Sequence, residues 1–174
     1  CDAFTNSNAY GSGSYIMGLD FTEHNLRMAK KENSSIFLEE NYEENYDGFD
    51  PNSIESIIAL TLNQSVYMDK SIQIAQKIQE QFRTRVKRKD RGVRQAPYFV
   101  TSRTLMPSVL VELGFLTNNS EEDFLHSNDG QAYMASAIFR AIKDYKIEQQ
   151  QTKVISILDQ PDKEKEIKKN KNTF

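Results

Sequence analysis

The 174-residue chain contains one cysteine and two histidines, and each shortage excludes a class of site. A single cysteine cannot form an intrachain disulfide, although it leaves the redox compartment open. The histidines, His24 and His126, lie about a hundred residues apart, and this separation matches no recognised zinc-ligand spacing. We therefore expect both histidines on the surface and no metal ligands from this chain.

Long apolar runs and a strong net charge are also missing. No stretch approaches the roughly 20 apolar residues that cross a bilayer, so we expect no membrane-spanning helix. The formal net charge of −3 is too mild to name a partner. The chain begins with Cys1 rather than Met and shows no signal-peptide pattern, so we expect it to begin inside a longer product.

Lysine and arginine are absent between Asn33 and Asp69, where acidic residues accumulate. Asp47-Gly48 and Asp50-Pro51 are turn signals, and Asn52 or Ser53 could cap a following helix. The apolar residues of that helix would be Ile54, Ile57, Ile58 and Leu62. The pattern predicts an acidic insertion, over about residues 19–66, that has helices of its own and resembles a lid in its length.

The remaining patterns predict an α/β fold, a mixed sheet covered by helices on both faces. Strands are expected at 11–18, with Tyr15 and Met17 on one face, at 98–100 and at 109–111. A helix that covers the sheet is predicted from Met68, Ile72, Ala75, Ile78 and Phe82, which recur at three- and four-residue spacing. A last helix over about 131–146 would bury Met134, Ile138, Ala141 and Tyr145. Residues 147–174 are mostly polar and are expected to be a tail or linker.

Glu112 is the candidate catalytic residue. It follows the continuous apolar run Val109–Val111, which is typical of a strand covered on both faces, and it precedes Gly114 and Phe115. Ligands of open α/β sheets bind at the carboxyl ends of strands, where Glu112 would lie. The structural alternative is an acid that accepts hydrogen bonds from backbone donors near Gly114.

The segment Leu105–Leu125, together with Asp90-Arg91-Gly92 before it, closely resembles zinc-dependent N-acetylmuramoyl-L-alanine amidases of bacterial peptidoglycan. In that family a Met-Pro-x-Val-Leu-Val-Glu-x-Gly-Phe segment, followed by a Thr/Ser-Asn-x-x-Glu-Glu turn, supplies the catalytic glutamate. The matching residues here are Met106, Pro107, Val109, Leu110, Val111, Glu112, Gly114, Phe115, Thr117, Asn118, Glu121 and Glu122. The resemblance implies that Glu112 is the catalytic base.

The resemblance also implies a zinc cofactor, whose His, Glu and His ligands occur in motifs that this chain lacks. Cys1-Asp2-Ala3 resembles the continuation of the strand that carries the second histidine, so the zinc ligands would lie before Cys1. Residues 1–146 would then be the C-terminal part of a catalytic domain whose first strands are missing here. The family acts on peptidoglycan outside the cytoplasm, which implies a periplasmic or extracellular, cell-wall location.

Some members of the family carry a helix that blocks the active site at the position of the insertion 19–66. The resemblance therefore suggests a lid on which a protein activator could act, and a surface elaboration or docking patch is the equal alternative.

By itself the chain should expose a sheet edge and aggregate or exchange strands.

Two further groups of residues have competing interpretations. Asp90 and Arg91 could contact substrate, but a clamp that holds a turn at Gly92 is favoured. The basic residues Arg83, Arg85, Lys87, Arg88 and Lys89 could bind nucleic acid. They lack interleaved aromatics and suit a solvated helix end, so no nucleic-acid partner is expected.

Other functions remain open from the sequence. The chain could be an inactive peptidoglycan-binding or regulatory module in which Glu112 is a relic. It could also be a cysteine hydrolase with an N-terminal Cys1 as the nucleophile, or a lipoprotein with Cys1 as its lipidated first residue. The residues encoded before Cys1 would discriminate among these hypotheses.

Overall fold

A computed structural model describes residues 6–18 and 22–158, and the predictions for Cys1 lie outside this range. At its centre is a three-stranded sheet of order β2-β1-β3. The strands are β1 (Ser12–Ile16), β2 (Asp90–Gln95) and β3 (Leu110–Glu112). β2 is parallel to β1 and β3 is antiparallel to it, which confirms the predicted mixed sheet.

The described residues also form short and long helices around this sheet. The helices are α1 (Glu23–Asn33), α2 (Tyr42–Asn45), α3 (Ile54–Gln64), α4 (Met68–Thr84), α5 (Phe99–Ser102), α6 (Asn119–His126) and α7 (Asn128–Leu158). Two 3-10 turns, Ser34–Leu38 and Ser65–Tyr67, follow α1 and α3. None of the helices in the described part of the chain is long and apolar enough to cross a membrane.

One face of the sheet is covered by α4, against which α7 packs. Ile78 and Phe82 of α4 join Met134 and Ala141 of α7 in a buried cluster, and Val111 of β3 packs against it. The apolar spacing along α4 therefore forms the buried stripe that the sequence predicts. Tyr145 of α7 is half-buried, and this burial raises the pKa of its hydroxyl.

The opposite face of the sheet is covered at one end by α1. Ala29 of α1 packs with Tyr15, Ala96 and Tyr98, and Leu110 of β3 contacts this cluster. Because neighbouring strand residues point to opposite faces, Leu110 and Val111 contribute to different cores. The sheet therefore has helices on both faces, as predicted.

The acidic insertion folds around a small core of its own. Ile36, Phe49 and Ile57 are buried together, and Phe99 of α5 packs against them. Ser53 caps α3, since its side chain accepts a hydrogen bond of 3.2 Å from the backbone N–H of Ser56. The predicted helix and cap are therefore confirmed within the insertion.

The predicted strand at 98–100 is wrong, because Tyr98 precedes α5. The side chain of Asn33 donates to the carbonyl of Pro97 at 3.0 Å and accepts from the N–H of Phe99 at 2.8 Å. These backbone groups are thereby withdrawn from any strand ladder. The strand in this part of the chain is instead β2, which ends shortly before Tyr98. Its mostly polar residues lack the apolar pattern that indicates a strand.

The helix predicted over about 131–146 is longer in the structure, because α7 runs from Asn128 to Leu158. Beyond residue 146, Glu148 pairs with Lys77 of α4 at 2.5 Å, and Gln149 donates to Gln73 at 3.2 Å. Gln, Glu and Lys favour helix, and these contacts hold the extension on α4. Residues 159–174 lie outside the described range.

Candidate active site

Glu112 is the last residue of β3 and lies directly opposite Gly13 of β1 in the antiparallel register. It is half-buried and shares the sheet face of Leu110, two residues earlier. Val111, between them, points into the core under α4. The packing of Val111 on the α4 side therefore fixes the backbone of β3. The Glu112 side chain lies on the opposite sheet face, at the end of the strand as predicted.

Gly13 is a buried residue of β1 that places no side chain beside Glu112. A Cβ atom at this position would lie 3.7 Å from Cβ of Arg91 and 3.9 Å from the ring of Tyr15, which are ordinary contact distances. The side chains of Arg91 and Glu112 thus flank a position with no side chain.

Arg91 and Asp90 begin β2 on the other side of Gly13. The Arg91 guanidinium lies over the ring of Phe115, with 4.8 Å from Cζ to the ring centroid, and donates to the carbonyl of Tyr10 at 3.3 Å. The Asp90 carboxylate accepts from the N–H of Gly92 at 2.7 Å, and Gly92 has a positive φ of 81°. The clamp predicted for Asp90 is therefore present, at an irregularity in the β1–β2 register.

The solvated helix end predicted for the basic run is confirmed for Arg83 but wrong for Arg88. Arg83 is exposed and pairs with Glu80 of the same helix at 2.6 Å. The Arg88 side chain is only 10% exposed and pairs with Glu121, whose side chain is 7% exposed. A seven-residue run with five basic residues carries no signal that one of them turns inward. The match of Glu121 to the family motif was the available clue.

The insertion lies against the same sheet face as Glu112, beside Leu110, two residues earlier in β3. A cavity of about 450 Å³ lies there, and its lining includes Glu32 of α1, Tyr46, Arg103 and Leu110 of β3. Arg103 pairs with Asp47 of the insertion at 2.7 Å. The Tyr46 hydroxyl donates to the Glu39 carboxylate at 2.6 Å, and this bond raises the pKa of Tyr46.

A zinc site is not formed by the described residues. Over 6–18 and 22–158, no three His, Cys, Asp or Glu side chains come together in a way that could hold a metal ion. His126 is exposed at the end of α6, as predicted. The side chain of His24 lies outside the described set, and so does Cys1. The residues present therefore do not fit the cofactor that the family resemblance implies.

Sequence comparison finds a family model and two curated relatives. The model described as N-acetylmuramoyl-L-alanine amidase matches residues 1–144. The uncharacterized protein YqiI of Bacillus subtilis is 40% identical over 77 residues, which are 44% of this chain and 37% of that protein. An uncharacterized cell wall amidase of Bacillus anthracis is 37% identical over 87 residues, which are 50% of this chain and 16% of that protein. The chain thus spans well under half the length of these relatives.

Solved structures share the fold at low sequence identity. An N-acetylmuramoyl-L-alanine amidase from Clostridium difficile 630 has a TM-score of 0.50 at 22% identity, over 83% of this chain and 53% of that one. The CwlD amidase from Clostridioides difficile, solved in complex with the GerS lipoprotein, has a TM-score of 0.51 at 20% identity, over 83% of this chain and 50% of that one. Because the family model covers most of its length, this chain belongs to the N-acetylmuramoyl-L-alanine amidase family.

Proposed function

We propose that the protein containing this chain hydrolyses the amide bond between N-acetylmuramic acid and L-alanine in peptidoglycan, with Glu112 as the general base. The observation that carries the proposal is the place of Glu112 within the family motif. It ends β3 directly opposite Gly13, and its neighbour Val111 is packed into the core on the other sheet face. This packing fixes the strand that carries the carboxylate, and correct placement is the first requirement of a general base.

The role of Glu112 in this reaction is to move one proton. Its carboxylate takes the proton from the attacking water and delivers it to the nitrogen of the departing L-alanine. The amide must therefore approach within about 3 Å of the carboxylate, directly or through the water. Gly13 adds no side chain beside the carboxylate, and Arg91 lies on the far side of Gly13.

We also propose that the hydrolysis depends on zinc. The proton transfer assigned to Glu112 is the part of the reaction that this chain's own residues perform. The described residues do not supply the zinc ligands, so we propose that the ligands come from elsewhere in the protein. Treatment of the full-length protein with a chelator should abolish hydrolysis, and added Zn²⁺ should restore it. Activity that persists after complete removal of the metal would contradict the proposed zinc dependence.

The test of the base is Glu112→Gln in the full-length protein, with purified peptidoglycan as substrate and newly released L-alanine amino groups as the readout. Gln keeps the size of Glu but cannot take a proton, so we expect the rate to fall about a hundredfold to ten-thousandfold. The matched control is Glu44→Gln on the exposed surface of α2, which should leave the rate unchanged. An unchanged rate for the Glu112→Gln variant would contradict the assignment. A wild-type protein that binds peptidoglycan without cleaving it would instead support an inactive binding module.

We also propose that the insertion is a lid that responds to a protein activator, and that the protein acts on the cell wall outside the cytoplasm. Two observations support the lid. Ala29 of α1 packs on the sheet face used by Glu112, and α3 exposes the apolar side chains of Ile54, Ile58 and Leu62 at four-residue spacing. Such an outward apolar stripe is typical of a helix that docks a partner.

A further inference from the structure

A buried ion pair lies directly behind the residue proposed as the base. Arg88, in the turn after α4, donates to the Glu121 carboxylate of α6. The same nitrogen of Arg88 donates to the backbone carbonyl of Leu113 at 3.2 Å, and the same oxygen of Glu121 accepts from the N–H of Gly11 at 3.0 Å. The pair therefore connects four separate segments of the chain.

Two of these attachment points bracket Glu112. Leu113 is the next residue along the chain, and Gly11 leads into β1 two residues before Gly13, the register partner of Glu112. A shift of either backbone group would move the ends of both β1 and β3. The ion pair thus holds the backbone on the two sides of the Glu112 carboxylate.

The surroundings fit an arginine and leave little freedom. The Arg88 guanidinium lies over the ring of Phe124, with 4.9 Å from Cζ to the ring centroid. A Cβ atom at Gly114 would lie 2.7 Å from the Glu121 carboxylate and 2.9 Å from the Arg88 guanidinium, so any other residue there would displace the pair. The planar guanidinium can meet a carboxylate, a carbonyl and an aromatic face together, which the point charge of lysine cannot do.

Stability alone does not explain a buried pair of this kind. Desolvation of two charges offsets most of their attraction, and apolar replacements of similar volume are commonly as stable. What the pair adds is a fixed geometry for the loop after β3. Displacement of a catalytic group by about 1 Å can reduce a rate by about a hundredfold.

We propose that Arg88 and Glu121 are positioning residues for Glu112, an inference that rests on the function proposed above. We assign them no contact with the water or the substrate. They hold Leu113 and Gly11, so that the carboxylate of Glu112 keeps its place opposite Gly13. Their loss should lower kcat and leave KM nearly unchanged, because the binding surface is formed by other residues.

The test compares two variants of the full-length protein on purified peptidoglycan. Arg88→Lys keeps the charge but loses the planar contact with Leu113 and Phe124. The second variant combines Arg88→Met with Glu121→Gln, which removes both charges and keeps an acceptor for Gly11. We expect kcat to fall about tenfold in the first and about a hundredfold in the second, with KM within about twofold of wild type.

The matched control is Arg83→Met, which removes an exposed arginine from α4 and its surface pair with Glu80. It should change neither kcat nor the melting temperature. Either Arg88 variant, when folded by circular dichroism and active at the wild-type kcat, overturns the proposal. If neither variant folds, the pair is structural and the proposal also falls. A wild-type protein without hydrolase activity would instead overturn the proposed function.

Discussion

Glu112 and Gly13 face each other across the β1–β3 ladder, so the residue directly opposite the proposed base has no side chain. Opposed Cβ atoms in antiparallel strands lie about 5 Å apart. A side chain at position 13 would therefore stand at the carboxylate. The activity should be sensitive to a single methyl group at this position.

Gly13→Ala should lower activity while it maintains or raises stability. The added methyl meets only ordinary contacts with Arg91 and Tyr15, and alanine restricts the unfolded chain by about 0.4–1 kcal/mol relative to glycine. The same methyl narrows the approach to Glu112, and we expect kcat/KM on peptidoglycan to fall about tenfold or more. Melting temperature and hydrolysis rate of the full-length variant measure the two effects.

Ser12→Ala is the control for this variant. Ser12 is the preceding residue of β1 and points to the other sheet face, where its buried hydroxyl has no hydrogen-bond partner among the described residues. Its replacement should change neither quantity strongly. Equal loss of activity in both variants would show that β1 is merely sensitive to substitution.

The sequence was sufficient for the parts of the fold that periodicity specifies. The stripe on α4, the strand before Glu112, the helix capped by Ser53 and the helix at Met134 all follow from apolar spacing or capping chemistry. β2 could not be found in this way. Its residues Asp90–Gln95 are mostly polar, and its irregular register at Gly92 breaks the alternation that indicates a strand.

Two of the wrong predictions have the same physical origin, which is that distant partners decide local structure. Asn33 holds Pro97 and Phe99 out of a strand from more than sixty residues away in the sequence. Arg88 turns inward because Glu121 and Leu113 receive it. The motif placed Glu112 in the correct strand, but its relation to Gly13 and to the buried pair could not be read without the sheet register.

Zinc should not bind tightly to residues 1–174 alone. The described residues bring together no set of three metal-ligating side chains, and the exposed His126 provides only one imidazole. After dialysis against a dilute zinc buffer, elemental analysis should find much less than one zinc per chain. Stoichiometric zinc that survives a competing chelator would contradict the expectation that the ligands lie elsewhere in the protein.

The ion pair between Asp47 of the insertion and Arg103, directly after α5, is a tether between these two segments. Weakening this tether should raise basal activity if the insertion is a lid. Asp47→Asn removes the charge that pairs with Arg103, an exposed pair of the kind worth about 0.2–1 kcal/mol. A shift of that size in a closed-to-open equilibrium raises the rate by up to about fivefold. Hydrolysis by the full-length variant, without any partner protein, is the measurement.

The control for the tether is Glu40→Gln, which removes an exposed acidic charge from the same insertion outside the pair. It should leave the rate at the wild-type value. Deletion of residues 30–60 provides the stronger perturbation and should raise basal hydrolysis further. A lower or unchanged rate in both the Asp47 variant and the deletion would favour a surface elaboration over a lid.

Truncation of α7 should separate its packed part from its extension. The segment after Lys146 contacts α4 through Glu148 and Gln149, whereas Val154 and Ile155 are exposed. A protein that ends at Leu158 should be as stable as one that ends at Phe174. One that ends at Lys146 should lose about 1 kcal/mol or less, the usual value of a partly exposed ion pair. Urea unfolding of the three proteins measures these differences. Lys77→Met in the uncut chain tests the same ion pair without shortening the helix. A loss of several kcal/mol on cutting at Lys146 would show that the extension is part of the core.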